Sequence, residues 1–189
     1  LSAVSLEQVT PDKQTLCVSR SFGTTVRDRA ELASRLHHFA SRAAEKLRQG
    51  GLVASAVNVF IKGNTFRPDL PQHANNVTME LSFPTSDMGD IVRATLQGLG
   101  RLYRPGIPYK KAGVLMLEVC NAKLAPRSLF AAPDPRRDRL MQTMDSLNAK
   151  HGPGTLCYGK IPQPRTWYMT QRHRSPRFTT HWRELPVAR

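Results

Sequence analysis

Apolar and polar positions alternate along Thr15 to Phe22 (TLCVSRSF), with Leu16, Val18 and Arg20 on one side and Cys17, Ser19 and Ser21 on the other. A period of two marks a strand, which Gly23 is expected to end. From Val26 to Gln49 the period lengthens. Leu32, Leu36, Phe39, Ala40, Ala43 and Leu47 fall at helical intervals and lay one apolar stripe along an amphipathic helix. Asp28 or Thr25 can cap its start, and Gly50-Gly51 stop it. VASAVNVFIK (Val53 to Lys62) predicts a second strand, and a long arm rich in Gly, Asn, Pro and Asp runs to about Asn75. In VTMELSF (Val77 to Phe83) Val77, Met79, Leu81 and Phe83 alternate as a third strand. After Pro84 the Thr85-Ser86-Asp87 cluster opens a second helix, with Met88, Ile91, Val92, Leu96, Leu99 and Leu102 on one face. Pro105-Gly106 break it, and GVLMLEV (Gly113 to Val119) is apolar almost without interruption, as a central strand is.

The order is β-α-β-β-α-β, and two helices on one face of a four-stranded sheet would bury both stripes. The expected fold class is therefore α+β. Residues 15–120 form this unit, 1–14 read as an irregular linker from a missing upstream domain, and 121–135 are a second linker rich in Pro and Ala. Residues 136–189 read as a small basic appendage. Leu140, Met141, Met144 and Leu147 give it a short helical stripe, and WYMTQRHRSPRFTTHW (Trp167 to Trp182) interleaves aromatics with arginines. Aromatics and arginines this dense fit stacking on a single strand, docking of a regulatory partner or a tiny core of their own.

Charge adds a partner to this picture. The chain of 189 residues carries 28 Lys and Arg against 14 Asp and Glu, a net charge of +14. Such an excess favours a polyanion through counterion release. Nucleic acid leads, and an anionic membrane is the competitor. No apolar run of 18 or more residues exists, and the opening LSAVSLEQVTPDK lacks a basic start with a long apolar block, so neither a membrane span nor a signal peptide is read. Cys17, Cys120 and Cys157 lie far apart with no CxxC pair, which points to a reduced, cytoplasmic setting.

Catalytic chemistry finds little support. The carboxylates are scattered singly, and Asp87 and Asp90 fit a helix's first turn, where they offset its dipole. His37 and His38 are adjacent on a helix, so they point about 100° apart and cannot share an ion. Gly98 and Gly100 complete no GxGxxG or Walker loop. No metal and no cofactor are expected. SRSFG (Ser19 to Gly23), by contrast, combines hydroxyls, a guanidinium and a glycine, a set suited to phosphate or to an ordinary strand end. YKKAG (Tyr109 to Gly113) puts two lysines before the last strand. With Lys62 and Arg67 they would rim one sheet, provided the alternation points them outward.

SRSFG, RAAEKLR (Arg42 to Arg48), YKKAGV (Tyr109 to Val114), LNAKHGPGTL (Leu147 to Leu156) and SPRFTTHWRELP (Ser175 to Pro186) together resemble the carboxy-terminal half of UmuC-type DNA polymerases, the catalytic subunits of polymerase V in the Y family. The resemblance implies that the β-α-β-β-α-β unit is a little finger domain lying across a primer-template duplex. It implies that the tail is the short carboxy-terminal domain that follows it. The polymerase palm, with its metal-binding acids and hence any magnesium, would precede Leu1. PRSLF (Pro126 to Phe130) stands where the family carries a glutamine-led peptide that binds the sliding clamp. Pro126 replaces that glutamine and removes one amide hydrogen bond, leaving Ser128, Leu129 and Phe130 as the clamp-binding residues; the alternative is that Leu129 and Phe130 dock on the chain's own tail. A UmuD-like dimer and RecA are further partners the family suggests.

The expectation is a non-catalytic, DNA-binding portion of an error-prone translesion polymerase that acts in SOS-type bypass of damaged DNA. Arg20, Ser21, Phe22, Lys62, Arg67, Lys110 and Lys111 would contact DNA. A basic α+β RNA-binding protein is the alternative.

Overall fold

Asp28 accepts a hydrogen bond from the Glu31 amide at 2.7 Å and so starts the first helix, α1 (Arg29–Gln49). In the computed structural model, which describes residues 13–126, 134–159 and 175–185, this helix lies between β1 (Leu16–Val26) and β2 (Leu52–Gly63). Gly51, at φ 65°, turns the chain from helix into strand. β3 (Ala74–Thr85) follows, then α2 (Met88–Leu102), where the Asp87 carboxylate accepts from the Asp90 amide at 3.0 Å. β4 (Tyr109–Leu117) and a two-residue strand, β5 (Cys120–Asn121), complete the sheet.

The strands run in the order β1-β4-β2-β3, all antiparallel, with β5 paired to Leu52 and Val53 at the start of β2. The apolar β4 is thus central, as its composition predicted, and the α+β expectation holds. Both helices lie on one face. Val57, Val59 and Ile61 of β2 and Ala112, Val114 and Met116 of β4 meet Leu32, Leu36, Phe39 and Leu47 of α1 and Ile91 and Leu99 of α2 in one core.

β1 is longer than expected. It passes through Gly23 by a bulge between Ser21 and Val26, and Val26 pairs with Tyr109. Lys110 fastens the bulge, its Nζ donating to the Gly23 carbonyl at 2.9 Å. The Tyr109 hydroxyl accepts from the Arg104 amide at 3.0 Å and sits 3.1 Å from His73 Nδ1, which joins the α2–β4 turn to the loop after β2. Burial pushes that phenol above its usual range, so it remains a donor.

A third helix, α3 (Pro135–His151), is capped by Asp134 and packs against the helix layer. Met141 and Met144 enter the common core, whereas Leu140, counted with them from the sequence, is exposed. Arg48 holds α3 in place. Its Nε and Nη2 donate to the two Asp145 carboxylate oxygens at 2.6 and 2.7 Å, and its Nη1 donates to the Ser86 carbonyl at 2.8 Å. Arg137 Nη2 also reaches Asp87 and Asp90, at 2.6 and 3.0 Å. The turn after α3 is seated by Tyr158, whose hydroxyl lies where a Cβ on Gly89 would be 2.6 Å away. Asp145→Ala is expected to lower stability in urea by about 2 kcal/mol, the scale of a charge-assisted pair whose partner stays behind. The double replacement Arg48→Met with Asp145→Leu should recover much of that loss, because it leaves no orphaned charge. An Asp145→Ala chain as stable as the parent would show that the pair contributes nothing.

Candidate nucleic-acid interface

The face of the sheet opposite the helices is open among the described residues, and the strand register sorts it into rows. Alternation sends Val57, Val59 and Ile61 to the core, so Ala56, Asn58, Phe60 and Lys62 of β2 face outward. Lys62 pairs with Lys111 on one side and Ala74 on the other, and Lys111 pairs with Ser21. One row across the four strands therefore reads Ser21, Lys111, Lys62, Ala74. The next reads Ser19, Gly113, Phe60, Asn76, and the one after it Cys17, Leu115, Asn58, Thr78. Leu117, Ala56 and Glu80 follow, with Glu80 the only acid among the strand positions.

This arrangement joins a basic end to a flat polar middle. Lys62 and Lys111 are both exposed and directly opposed. Like charges at such positions destabilise a sheet, by a few tenths to about 1 kcal/mol. An anion lying between them would reverse the sign of that interaction. In the middle, Asn58 Nδ2 donates to Asn76 Oδ1 at 3.0 Å and to Thr78 Oγ1 at 2.9 Å, which fixes a neutral hydrogen-bonding surface. Gly113 keeps this surface level: the Phe60 ring lies across it, and a Cβ at Gly113 would come within 2.5 Å of Phe60 Cζ and 2.3 Å of Ser19 Cβ.

The residues proposed from the sequence divide accordingly. Ser21, Lys62 and Lys111 come together in one row. Arg20 does not join them: it pairs with Ala112, a core position, and so lies on the helix side of β1. There it lines a cleft of about 340 Å³ with Val18, Arg42, Met88 and Tyr158. Phe22 is a correction, because its side chain is fully buried, with the Arg35 guanidinium 4.2 Å from its ring centroid. Lys110 points its ammonium at the Gly23 carbonyl, and Arg67 is paired with Asp69 in the loop between β2 and β3 at 2.7 Å. Ser128, Leu129 and Phe130, like Trp167, lie outside the described residues. Reasoning from the sequence missed Asn58, Asn76 and Thr78. Their alternation with Val57, Val59, Val77 and Met79 was the available signal.

Among the described residues no three His, Cys, Asp or Glu side chains group as metal ligands, and no helix is long and apolar enough to cross a membrane.

Known proteins resemble this chain over most of its length. The model of the impB/mucB/samB family C-terminal domain matches residues 13–129, and a domain model of unknown function matches residues 138–188. The chain is 35% identical to protein UmuC of Salmonella typhimurium over 184 residues, covering 96% of this chain and 44% of that protein. It is 34% identical to protein ImpB of Salmonella typhimurium, covering 100% of this chain and 45% of that one. The chain thus spans less than half the length of these relatives. Among solved structures, an insertion ternary complex of Dbh DNA polymerase aligns at a TM-score of 0.42 and 12% identity, over 58% of this chain and 31% of that one.

Proposed function

Since this chain belongs to the impB/mucB/samB family, we propose that it is the DNA-gripping portion of an error-prone translesion polymerase. The outer face of its sheet lies along the backbone of a primer-template. Phosphoryl transfer, and the magnesium it uses, belong to parts of the protein outside these residues. Ser128, Leu129 and Phe130 tether the assembly to the sliding clamp, with Leu129 and Phe130 as apolar anchors.

The observation that carries this reading is the row Ser21, Lys111, Lys62. Two cations held side by side at a cost to the sheet, on a face the helices leave open, suit phosphates spaced along a backbone. Backbone contacts ignore base identity, so a grip of this kind tolerates a damaged template. α1 and α2 pack on the other face and α3 packs on that helix layer, so among the described residues the outer face is free for a duplex.

Fluorescence anisotropy on a labelled primer-template between 50 and 200 mM salt tests the reading. Neutralising a phosphate with each of the two lysines contributes about −1.8 to the slope of log affinity against log salt, and sequence changes should have little effect. Salt-insensitive, sequence-selective binding would remove the proposal. The RNA-binding alternative is decided in the same experiment by competition with a structured RNA, which should displace the DNA only if that alternative is right.

A further inference from the structure

Beyond the sheet face, Phe66, Trp182 and Leu124 are the large apolar side chains left most exposed among the described residues, and Phe66 is the one in the loop that follows Lys62. Phe66, in the loop between β2 and β3, is 91% exposed. A phenylalanine at the tip of a floppy loop would be unremarkable, but this loop is built. The Gln72 amide nitrogen lies 3.0, 2.8 and 3.0 Å from the carbonyl oxygens of Asn64, Arg67 and Leu70, closing the loop from inside. The Phe66 amide donates to Asn64 Oδ1 at 3.2 Å, and Gly63 ties the loop's base to His73 at 2.8 Å. Hydrogen bonds of this number hold the backbone that presents Phe66, so little ordering entropy remains to be lost when the ring is covered.

Position says what covers it. The loop leaves β2 one residue after Lys62, at the basic end of the outer face where Lys62 and Lys111 are paired. Arg67 is matched by Asp69 within the loop, so the loop itself is close to neutral and the positive charge lies behind it on the sheet. An exposed ring flanked by a phosphate-attracting row is the combination that holds single-stranded nucleic acid: charge retains the backbone, and the ring stacks on a base that has no partner.

We infer that Phe66 is a stacking platform for an unpaired nucleobase at the end of the duplex carried on the sheet. This rests on the DNA-gripping reading of the outer face and adds to it a contact with bases that is indifferent to their sequence, since every base offers a flat apolar face.

The test compares the full chain with Phe66→Ala and Phe66→Trp on three substrates: a blunt duplex, the same duplex with a short template overhang, and that overhang made abasic. The parent chain should bind the normal overhang about 5- to 30-fold more tightly than the abasic one. Phe66→Ala should erase that difference and leave blunt-duplex binding within about 2-fold, whereas Phe66→Trp should keep it. With the ring 91% exposed, the alanine removes no packing. An undiminished difference in Phe66→Ala overturns the inference, and so does a parent chain indifferent to the abasic overhang, as would follow if the ring served a protein partner. Lys62→Gln with Lys111→Gln should weaken all three substrates alike. If those lysine changes have no effect while the base-dependent difference persists, the sheet reading fails and the stacking role stands.

Discussion

Replacing Lys62 and Lys111 together by glutamine is expected to weaken primer-template binding roughly 30-fold near physiological salt. It should also reduce the salt slope by about 1.8, because two fewer phosphates are neutralised. The same substitution should leave the folded chain as stable as before or slightly more so. The two ammonium groups are direct cross-strand neighbours, and glutamine removes their repulsion while keeping the aliphatic stem on the sheet. Affinity and stability would therefore move in opposite directions, an outcome that simple misfolding cannot imitate. Arg20→Gln is the matched comparison, since Arg20 lies on the helix side of β1 and should affect duplex binding much less. If Arg20→Gln is the more damaging change, the duplex does not lie on the outer face.

Gly113→Ala should destabilise the chain by about 3 kcal/mol in urea unfolding, at the upper end of what overpacking a single site costs. The added methyl would lie 2.3 Å from Ser19 Cβ and 2.5 and 2.9 Å from two carbons of the Phe60 ring. Phe60 can rotate away or be cut back, so Phe60→Ala in the Gly113→Ala background should recover part of the loss. The Ser19 contact will not relax as readily, because a Cβ is fixed to its backbone, and relief there requires β1 and β4 to move apart. Since Ser21 and Lys111 sit two residues along those strands, DNA affinity should fall as well. A Gly113→Ala chain within 0.5 kcal/mol of the parent would show that the sheet has room to give at this point.

Much of the fold was legible because its elements announce themselves locally. The α1 and α2 stripes and the Asp28 and Asp87 caps are each contained within a short window and reappear where the periodicity placed them, whereas β4, expected over Gly113 to Val119, runs from Tyr109 to Leu117 and takes in the two lysines expected before it. The end of β1 was less legible. Gly23 reads as a terminator, yet the strand continues because Val26 finds a partner in Tyr109, some 80 residues away. α3 was legible as a helix but not as a member of the core. Its Met141 and Met144 look like half of a small separate stripe until Arg48, from α1, supplies the partner for Asp145.

The candidate site shows the same division more sharply. Alternation along β1 already separated Arg20 from Ser21, so the two could not share a face, yet both carry phosphate-binding chemistry and both were assigned to the interface. Chemistry names candidates, and only the buried face of the sheet says which of two alternating sets meets solvent. Phe22 follows from the same parity: two residues beyond Arg20 on the helix side, it belongs to the core.

By itself, then, the sequence determined the order of strands and helices, the side of each helix that is buried, the central place of β4 and the large positive charge. These follow from local periodicity and net charge, which need no knowledge of distant residues. The tertiary structure decided that Lys62 and Lys111 stand side by side, that Arg20 lies exposed on the helix side of β1 while Phe22 is buried there, and that α3 closes over the helices. Each of these depends on register between segments far apart in the chain, and a strand's register fixes its outward set only once its partner is in place.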